Sequence, residues 1–573
     1  PVQRPAAPLY PGCYHSTVMT QSPNNVLNPY YYRDNFLRLC DTVEAQYEDV
    51  LGEEEQLLLL RFRALAFDAQ CLYVRMVSRV GPWFRVSRLA YPELGDLGSA
   101  LAALDEAGLL FFGEELAIDE LGRLYTRAEW QQVFAPHLAE QRFKDKAALL
   151  AAVDGLPLDD STITAMLCDL DGGDIVAPWG GDQVLLLQLL FFGNRRQSLT
   201  EFVLSDLGVA NYFPYNLDRQ QRLFANREAL DEYLACAALS DCWYELRDTG
   251  DAQGMQELAL ELLSRQVNFE STKSRWHRLC NGLARDLERQ GESATAHALY
   301  AASECHPARE RRARILERDQ QWGEVAALCE EILVAPWCEH EGEAARRILH
   351  RARRKLGGKP APRARDHFSE LHMSLAQEDG SVELLVARAL SGDWQSVHYV
   401  ENSLFKTLFG LAFWEQIFAP LPGVFHHAYQ TRPSDMFEPV FRQRRSELLD
   451  RRMEELRRCD LRRELSAAYS RYQGYLCTWV DWRYIDLALV QDTLMVVPPE
   501  HLLAIWQRML FDPLENRSGF PDLIALGKLQ GQYSLIEVKG PGDALQDGQK
   551  RWLRFFQQQG IPASVAWVSW SGD

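Results

Sequence analysis

With 573 residues and 47% hydrophobic content, the chain is long enough for about four domains by the usual length prior, each able to bury a core. No run of about eighteen uncharged apolar residues occurs, which argues against a membrane-spanning helix, and the start lacks the apolar stretch of a secretion signal. The net charge of −19 argues against a uniformly basic nucleic-acid coat, but phosphate is bound by local patches: residues 41–60 hold seven acids and no base, whereas residues 345–365 hold nine bases and no acid.

Residues 1–27 read as a flexible lead-in, in which Cys13 and His15 lack the partners of a zinc finger. Residues 28–125 read as a helical N-terminal domain. Its stretch from Cys71 to Phe112 has the helix, turn, helix and apolar-hairpin order of a winged helix, with a plain helical subdomain as the alternative; Arg75, Arg79, Arg85 and Arg88 are candidates to face phosphates. In residues 126–182, the run Phe134 to Val153 gives two short helices joined by a basic loop carrying Arg142, Lys144 and Lys146. It resembles a SAP-type DNA-binding module, which grips duplex backbone with such a loop. The acidic run CDLDGGD lacks the glycine and glutamate positions of a calcium loop and reads as a solvated turn between domains. The twelve cysteines are scattered without a CxxC pair, so reduced and mostly buried thiols of an intracellular protein are expected.

Residues 183–395 are almost wholly helical. Gly250-Asp251, Gly291-Glu292, Gly323-Glu324 and Gly392-Asp393 each read as a turn that opens a helix, with Pro307 and Pro336 closing two of these helices. The pattern resembles degenerate tetratricopeptide repeats, whose helix pairs bury their faces only by stacking. Within it, Arg346, Arg347, Arg351 and Arg353 belong to the acid-free basic stretch and are candidates for DNA backbone contact. The arginines from Arg442 to Arg463 alternate with acids and read as a solvated helix face.

Residues 396–573 carry the chemistry. Asp522 opens one apolar strand, and Glu537 and Lys539 stand two residues apart on a second, Tyr533 to Lys539. Ile536 and Val538 point one way and Glu537 and Lys539 the other, onto a face expected to be exposed, with Lys539 about 6 to 7 Å along the strand from Glu537. Hard carboxylate oxygens on that face suit Mg²⁺ or Mn²⁺ held against a phosphodiester, and the ammonium can orient water. Asp543 is the expected N-cap of a helix through Gln559 that places Gln549 on its apolar face, where the amide needs a polar partner. Ser564 to Trp567 reads as a third strand.

GFPDLI, IEVKG, the helix start from Gln549 to Leu553 and the last strand, in this order, resemble the virus-type replication-repair nuclease domain (VRR-Nuc), a branch of the PD-(D/E)xK nucleases. The resemblance implies an upstream helical glutamate as a further metal ligand; Glu401, in the VENSLFKTLF run, matches it, with Glu415 as the competitor. The expected fold is therefore multidomain and mostly α, with a C-terminal α/β PD-(D/E)xK domain built on a small mixed sheet. The SAP-like module, the helical repeats and the nuclease motifs together resemble the Fanconi-associated nucleases. That resemblance implies a metal-dependent DNA endonuclease that cuts near 5′ flaps and branched junctions, trims 5′ to 3′ and serves interstrand crosslink repair. Glu401, Asp522, Glu537 and the Val538 carbonyl are then the expected ligands of one or two Mg²⁺ or Mn²⁺ ions, with Lys539 positioning the nucleophile and Gln549 supporting the site. With no Cys/His cluster for a ubiquitin-binding finger, ubiquitin is not an expected partner; a bacterial member acting in the cytoplasm at the nucleoid, not secreted and not at a membrane, is. A Holliday-junction resolvase and an inactive nuclease-fold scaffold are the alternatives.

Overall fold

A computed structural model describes residues 28–79, 81–138, 141–195, 197, 211–358 and 366–571. The lead-in and the basic residues Lys359, Arg363 and Arg365 lie outside these. Two compact units emerge, one built mainly on residues 58–184 and the other mainly on residues 212–573. None of the eleven cysteines among the described residues is in a disulfide, and no described helix is long and apolar enough to cross a membrane.

The first unit combines short helices with a three-stranded antiparallel sheet. Strand β3 (Ile175–Pro178) lies between β1 (Phe84–Arg85) and β2 (Leu110–Phe112). Because β3 comes from the segment expected to form a separate SAP-like module, that segment shares a sheet with the preceding one. Side-chain caps fix the helix starts: Asp96 accepts from the Gly98 and Ser99 N–H groups, Asp145 from Ala148 and Asp159 from Thr162. Arg85 does not face phosphate. It is buried, it donates to Glu129 at 2.8 Å and Asp171 at 2.6 Å, and its guanidinium lies 4.0 Å from the centre of the Tyr125 ring. Asp171 of the acidic run is thereby a structural ion-pair partner rather than part of a solvated turn.

In the second unit, helices α1 (Arg227–Thr249), α2 (Ala252–Ser264), α3 (Glu270–Gln290), α4 (Ser293–Ala302), α5 (Ala308–Arg318), α6 (Trp322–Val334) and α7 (Glu339–Lys355) stack in succession. Gly250 and Gly291 end α1 and α3 at φ +72° and +94°, and the following N–H reaches back to Leu246 and Leu287, a turn that needs glycine. Gly323 instead lies inside α6, Pro307 precedes α5 rather than closing a helix, and Gly392-Asp393 leads into a strand. Arg309 and the fully buried Glu341 pair at 2.7 Å to lock α5 to α7.

The remaining chain builds a five-stranded mixed sheet in the order β4 (Ser369–Leu375), β8 (Ala563–Trp570), β7 (Tyr533–Lys539), β6 (Leu523–Leu526), β5 (Ser396–Tyr399). β8 runs parallel to β4 and β7, while β6 runs antiparallel to β7 and β5. Since β4 and the helix α8 (Val382–Leu390) belong to this layer, the nuclease fold starts ahead of residue 396. Val386, Leu523, Ala525, Ile536 and Val538 pack on one face; Ile524, Leu526, Tyr533 and Leu535 join the large helical core on the other. Both faces are covered, so Glu537 and Lys539 are 1% and 8% exposed instead of lying on an open face. The helix α10 (Asp547–Gln559) covers β7, and its N-cap is Gln546 in a reciprocal capping box with Gln549, not Asp543, which accepts from the Gly540 N–H.

Candidate active site

The β6–β7 register, extended by one residue from Leu523 opposite Ile536, sets Asp522 opposite Glu537. Asp522 Oδ2 accepts the Val538 N–H at 2.8 Å, and the Asp522 carbonyl accepts the Val400 and Glu401 N–H groups at 2.8 and 3.0 Å. Two strands and the turn after β5 thus converge on one residue. On β7, Lys539 Nζ donates to Glu537 Oε1 at 2.8 Å, the expected consequence of period-two side chains on one strand. Gln549 Nε2 donates to the same oxygen at 2.5 Å while its Oε1 caps the helix start, so the amide has the polar partner it requires. Glu537 Oε2 is buried with no hydrogen-bond partner.

Glu401 is not on a helix. It occupies the turn between β5 and helix α9 (Leu404–Ala412) at φ +25°, a conformation side chains rarely adopt, held by its N–H bond to Asp522. Tyr399 donates its hydroxyl to Glu401 Oε2 at 2.6 Å and Asn402 Nδ2 donates to Oε1 at 3.1 Å; Asn402 Oδ1 in turn accepts the Phe520 N–H. The competitor Glu415 is exposed and accepts from the Tyr472 hydroxyl instead. Among the described residues, no three His, Cys, Asp or Glu groups stand close enough together to hold a metal ion; at this corner Glu401 is turned onto Tyr399 and Lys539 covers one Glu537 oxygen.

The electrostatics mark the same place. Burial first, then the Asp522 charge, pushes Glu537 up to about 7, against the pull of Lys539; burial pushes Asp522 up to about 6, with the Glu383 and Glu401 charges adding to the shift. Carboxylates that outnumber the one lysine among them are what a divalent cation would neutralise, and the orphaned Glu537 Oε2 fits that need.

Glu383, in the first turn of α8, is a residue that sequence reasoning missed. It sits in an ordinary amphipathic helix, and only the sheet topology brings that helix against β6 and β7.

The loop before Asp522 is fixed by packing. Trp552 of α10 stacks on Phe520 with ring centres 4.1 Å apart and donates to the Ser518 carbonyl. Gly519 has φ +85°, and a Cβ there would stand 3.0 Å from the Gly548 backbone carbon. Gly519→Ala is therefore expected to destabilise by roughly 1–3 kcal/mol and to displace Asp522, which a thermal melt read beside cleavage checks; an unchanged melt and unchanged cleavage would contradict the close approach.

The expected DNA-binding side chains are dispersed. Arg142 and Lys144 are exposed, but Lys146 is pinned on the Gly122 and Tyr125 carbonyls. Arg346, Arg347 and Arg351 line a cavity of about 1900 Å³ shared with Arg354, Arg442, Arg508, Arg551 and Arg554. Arg346 and Arg347 have no ion pair among the described residues, Arg351 is held by Glu317 at 2.6 Å, and Arg353 lies off the cavity on Glu330.

Two family models match the chain: the FAN1 HTH domain over residues 30–111 and the VRR-NUC domain over residues 457–570. A Fanconi-associated nuclease 1 homolog of Pseudomonas aeruginosa is 33% identical over 98% of this chain and 99% of its own length. The human Fanconi-associated nuclease 1 is 23% identical over 94% of this chain and 62% of its own. A crystal structure of paFAN1 bound to DNA with a 2-nucleotide 5′ flap and a gap superposes with a TM-score of 0.80 and 33% identity, covering 96% of this chain and all of that one. This chain accordingly belongs to the Fanconi-associated nuclease 1 family of DNA nucleases, whose VRR-Nuc chemistry depends on divalent metal.

Proposed function

We propose that this nuclease cuts DNA near 5′ flaps and branched junctions, trims 5′ to 3′, and acts inside the cell in interstrand crosslink repair with Mg²⁺ or Mn²⁺. The observation that carries the reading is the Asp522–Glu537 pair, one part-buried and one fully buried carboxylate with one orphaned oxygen, at the start of β6 and on β7. Glu401, Asp522, Glu537 and the Val538 carbonyl are the candidates to hold one or two cations, which supply Lewis-acid charge for the attacking and leaving oxygens. Glu401 can reach that role only by loosening its bonds to Tyr399 and Asn402. Lys539 is placed to hold a water against the phosphorus or to offset charge on a phosphate oxygen, once Glu537 is no longer its sole partner. Gln549 keeps the Glu537 carboxylate in one rotamer. The resemblance to a structure solved with flap DNA supports the substrate class.

Cleavage of a 5′ flap, a four-way junction and a linear duplex, each with Mg²⁺ and with chelator, tests the proposal. Metal-dependent incision concentrated near the flap is expected. Preference for the four-way junction would favour a resolvase, and no cleavage of any substrate would leave only a scaffold.

The basic cavity is the proposed track for backbone phosphates. Replacing Arg346 and Arg347 by Ala should weaken DNA binding and reduce the slope of log affinity against log salt by about 1.8 if each meets one duplex phosphate. Adding Arg351→Ala and Arg353→Ala should change little, since both already pair with glutamates. An unaltered slope in the fourfold variant removes the cavity from the DNA path.

A further inference from the structure

A second basic cluster lies beside the Glu401 corner, and neither the sequence motifs nor the large cavity includes it. Arg432 and Arg517 both stand over the Phe437 ring, at 4.7 and 4.5 Å from its centre. Neither has an ion pair among the described residues. Arg517 precedes the Gly519 turn that delivers Asp522, so this guanidinium is anchored five residues from a site carboxylate. Lys406 is on the first turn of α9, directly after the Glu401 turn, and has no ion pair among the described residues either. Burial pushes its ammonium down, and the charges that bear on it include Asp481, Arg517 and Glu401.

Two guanidinium groups on one phenyl ring, with a lysine in range, cost like-charge repulsion; the Asp481 and Glu401 charges offset it at Lys406, but no acid pairs with Arg432 or Arg517 among the described residues. Several arginines elsewhere in the chain are matched: Arg222 with Asp49, Arg311 with Glu288, Arg554 with Asp366. A cation cluster whose two guanidinium groups lack ion pairs, with Arg432 exposed and Arg517 and Lys406 part-buried, is suited to an anion that arrives from outside. Resting on the nuclease reading above, we propose that Lys406, Arg432 and Arg517 form a phosphate clamp that seats one or two backbone phosphates of the DNA next to Glu401. Phe437 anchors both forks by cation–π contact, and a guanidinium can offer a phosphate two parallel N–H donors. The clamp thereby sets which phosphodiester reaches Asp522 and Glu537.

The test uses Arg432→Gln, Arg517→Gln and Lys406→Gln in the full chain, with binding of a 5′-flap duplex measured in chelator over a range of salt. Each variant should bind several-fold more weakly, and the salt slope should fall by about 0.9 for every phosphate that is no longer neutralised. Incision of the flap in Mg²⁺ should spread over more than one position. The DNA-free variants should melt at or above the wild-type temperature at low salt, because repulsion has been removed; a merely structural stacking role would lower the melt instead. Arg517→Lys should restore the slope but not the single incision position, since a lysine supplies charge without the fork. Unchanged slopes in all three variants, or lower melting with unchanged binding, overturn the clamp. If wild type itself fails to cut the flap in Mg²⁺, the nuclease reading fails, and the clamp with it.

Discussion

Asp522→Asn is expected to slow cleavage of flap DNA by roughly 10²–10³-fold or more while leaving the fold intact. The amide keeps an oxygen for the Val538 N–H, which Asp522 accepts at 2.8 Å, so the strand junction retains its bond. What disappears is the negative charge opposite Glu537, and with it half of the anionic site a cation would neutralise. Lys539→Ala should have an effect of similar size by a different route, leaving cation binding in place and removing the group that orients water. Single-turnover cleavage measured beside a thermal melt checks both. Rates within a few-fold of wild type in a protein that melts normally would show that the phosphodiester is cut elsewhere.

The second large effect is on pH. Burial and then the Asp522 charge raise Glu537 to about 7, and burial, with the Glu383 and Glu401 charges, raises Asp522 to about 6, so at pH 6 in the cation-free protein Glu537 is mainly protonated and Asp522 about half so. A divalent cation must displace those protons. Its affinity should tighten by up to roughly tenfold per pH unit for each proton released between pH 6 and 7, then level off above about 8. Stability runs the other way. A carboxylate raised on folding makes the folded state bind more protons than the unfolded chain does. The contribution of these two groups to the stability of the cation-free protein should therefore be complete below the ordinary carboxylate values and be lost as pH rises to about 7, at up to about 1.4 kcal/mol per unit per group. Calorimetric Mn²⁺ titrations and melting curves at pH 5 to 8 read both trends. A cation affinity that is flat from pH 6 to 8 would contradict protonated carboxylates at this site.

The motif residues were legible because strand alternation fixes faces: Glu537 and Lys539 had to share one side of β7, and they pair at 2.8 Å. Gln549 was legible for a related reason, being a polar group on an apolar helix face. Burial was not legible. The alternation of β7 looks like a half-exposed strand, and only the helices that arrive from elsewhere in the chain cover Glu537. Glu401 was placed by its resemblance but not its conformation, since a turn at φ +25° depends on two bonds to the Asp522 carbonyl 121 residues later. Glu383, Tyr399 and the Phe437 cluster carry no local signal, because each gains its meaning from tertiary neighbours. The same limit applies to the upstream arginines: composition located a basic stretch, but the acids that neutralise Arg351 and Arg353 lie on other helices, at Glu317 and Glu330. β3 and β4 pair with strands distant in the chain, which local composition does not reveal.

The central claim is that the carboxylates at the meeting point of β5, β6 and β7 hold the cleaving cation. The most direct measurement is a crystal of the protein with flap DNA and Mn²⁺, read at the manganese absorption edge. The account predicts anomalous density bounded by Asp522, Glu537 and Glu401, with the Tyr399 bond to Glu401 loosened. Density at another group of carboxylates, with Asp522 and Glu537 still bonded only to Val538, Lys539 and Gln549, would contradict it.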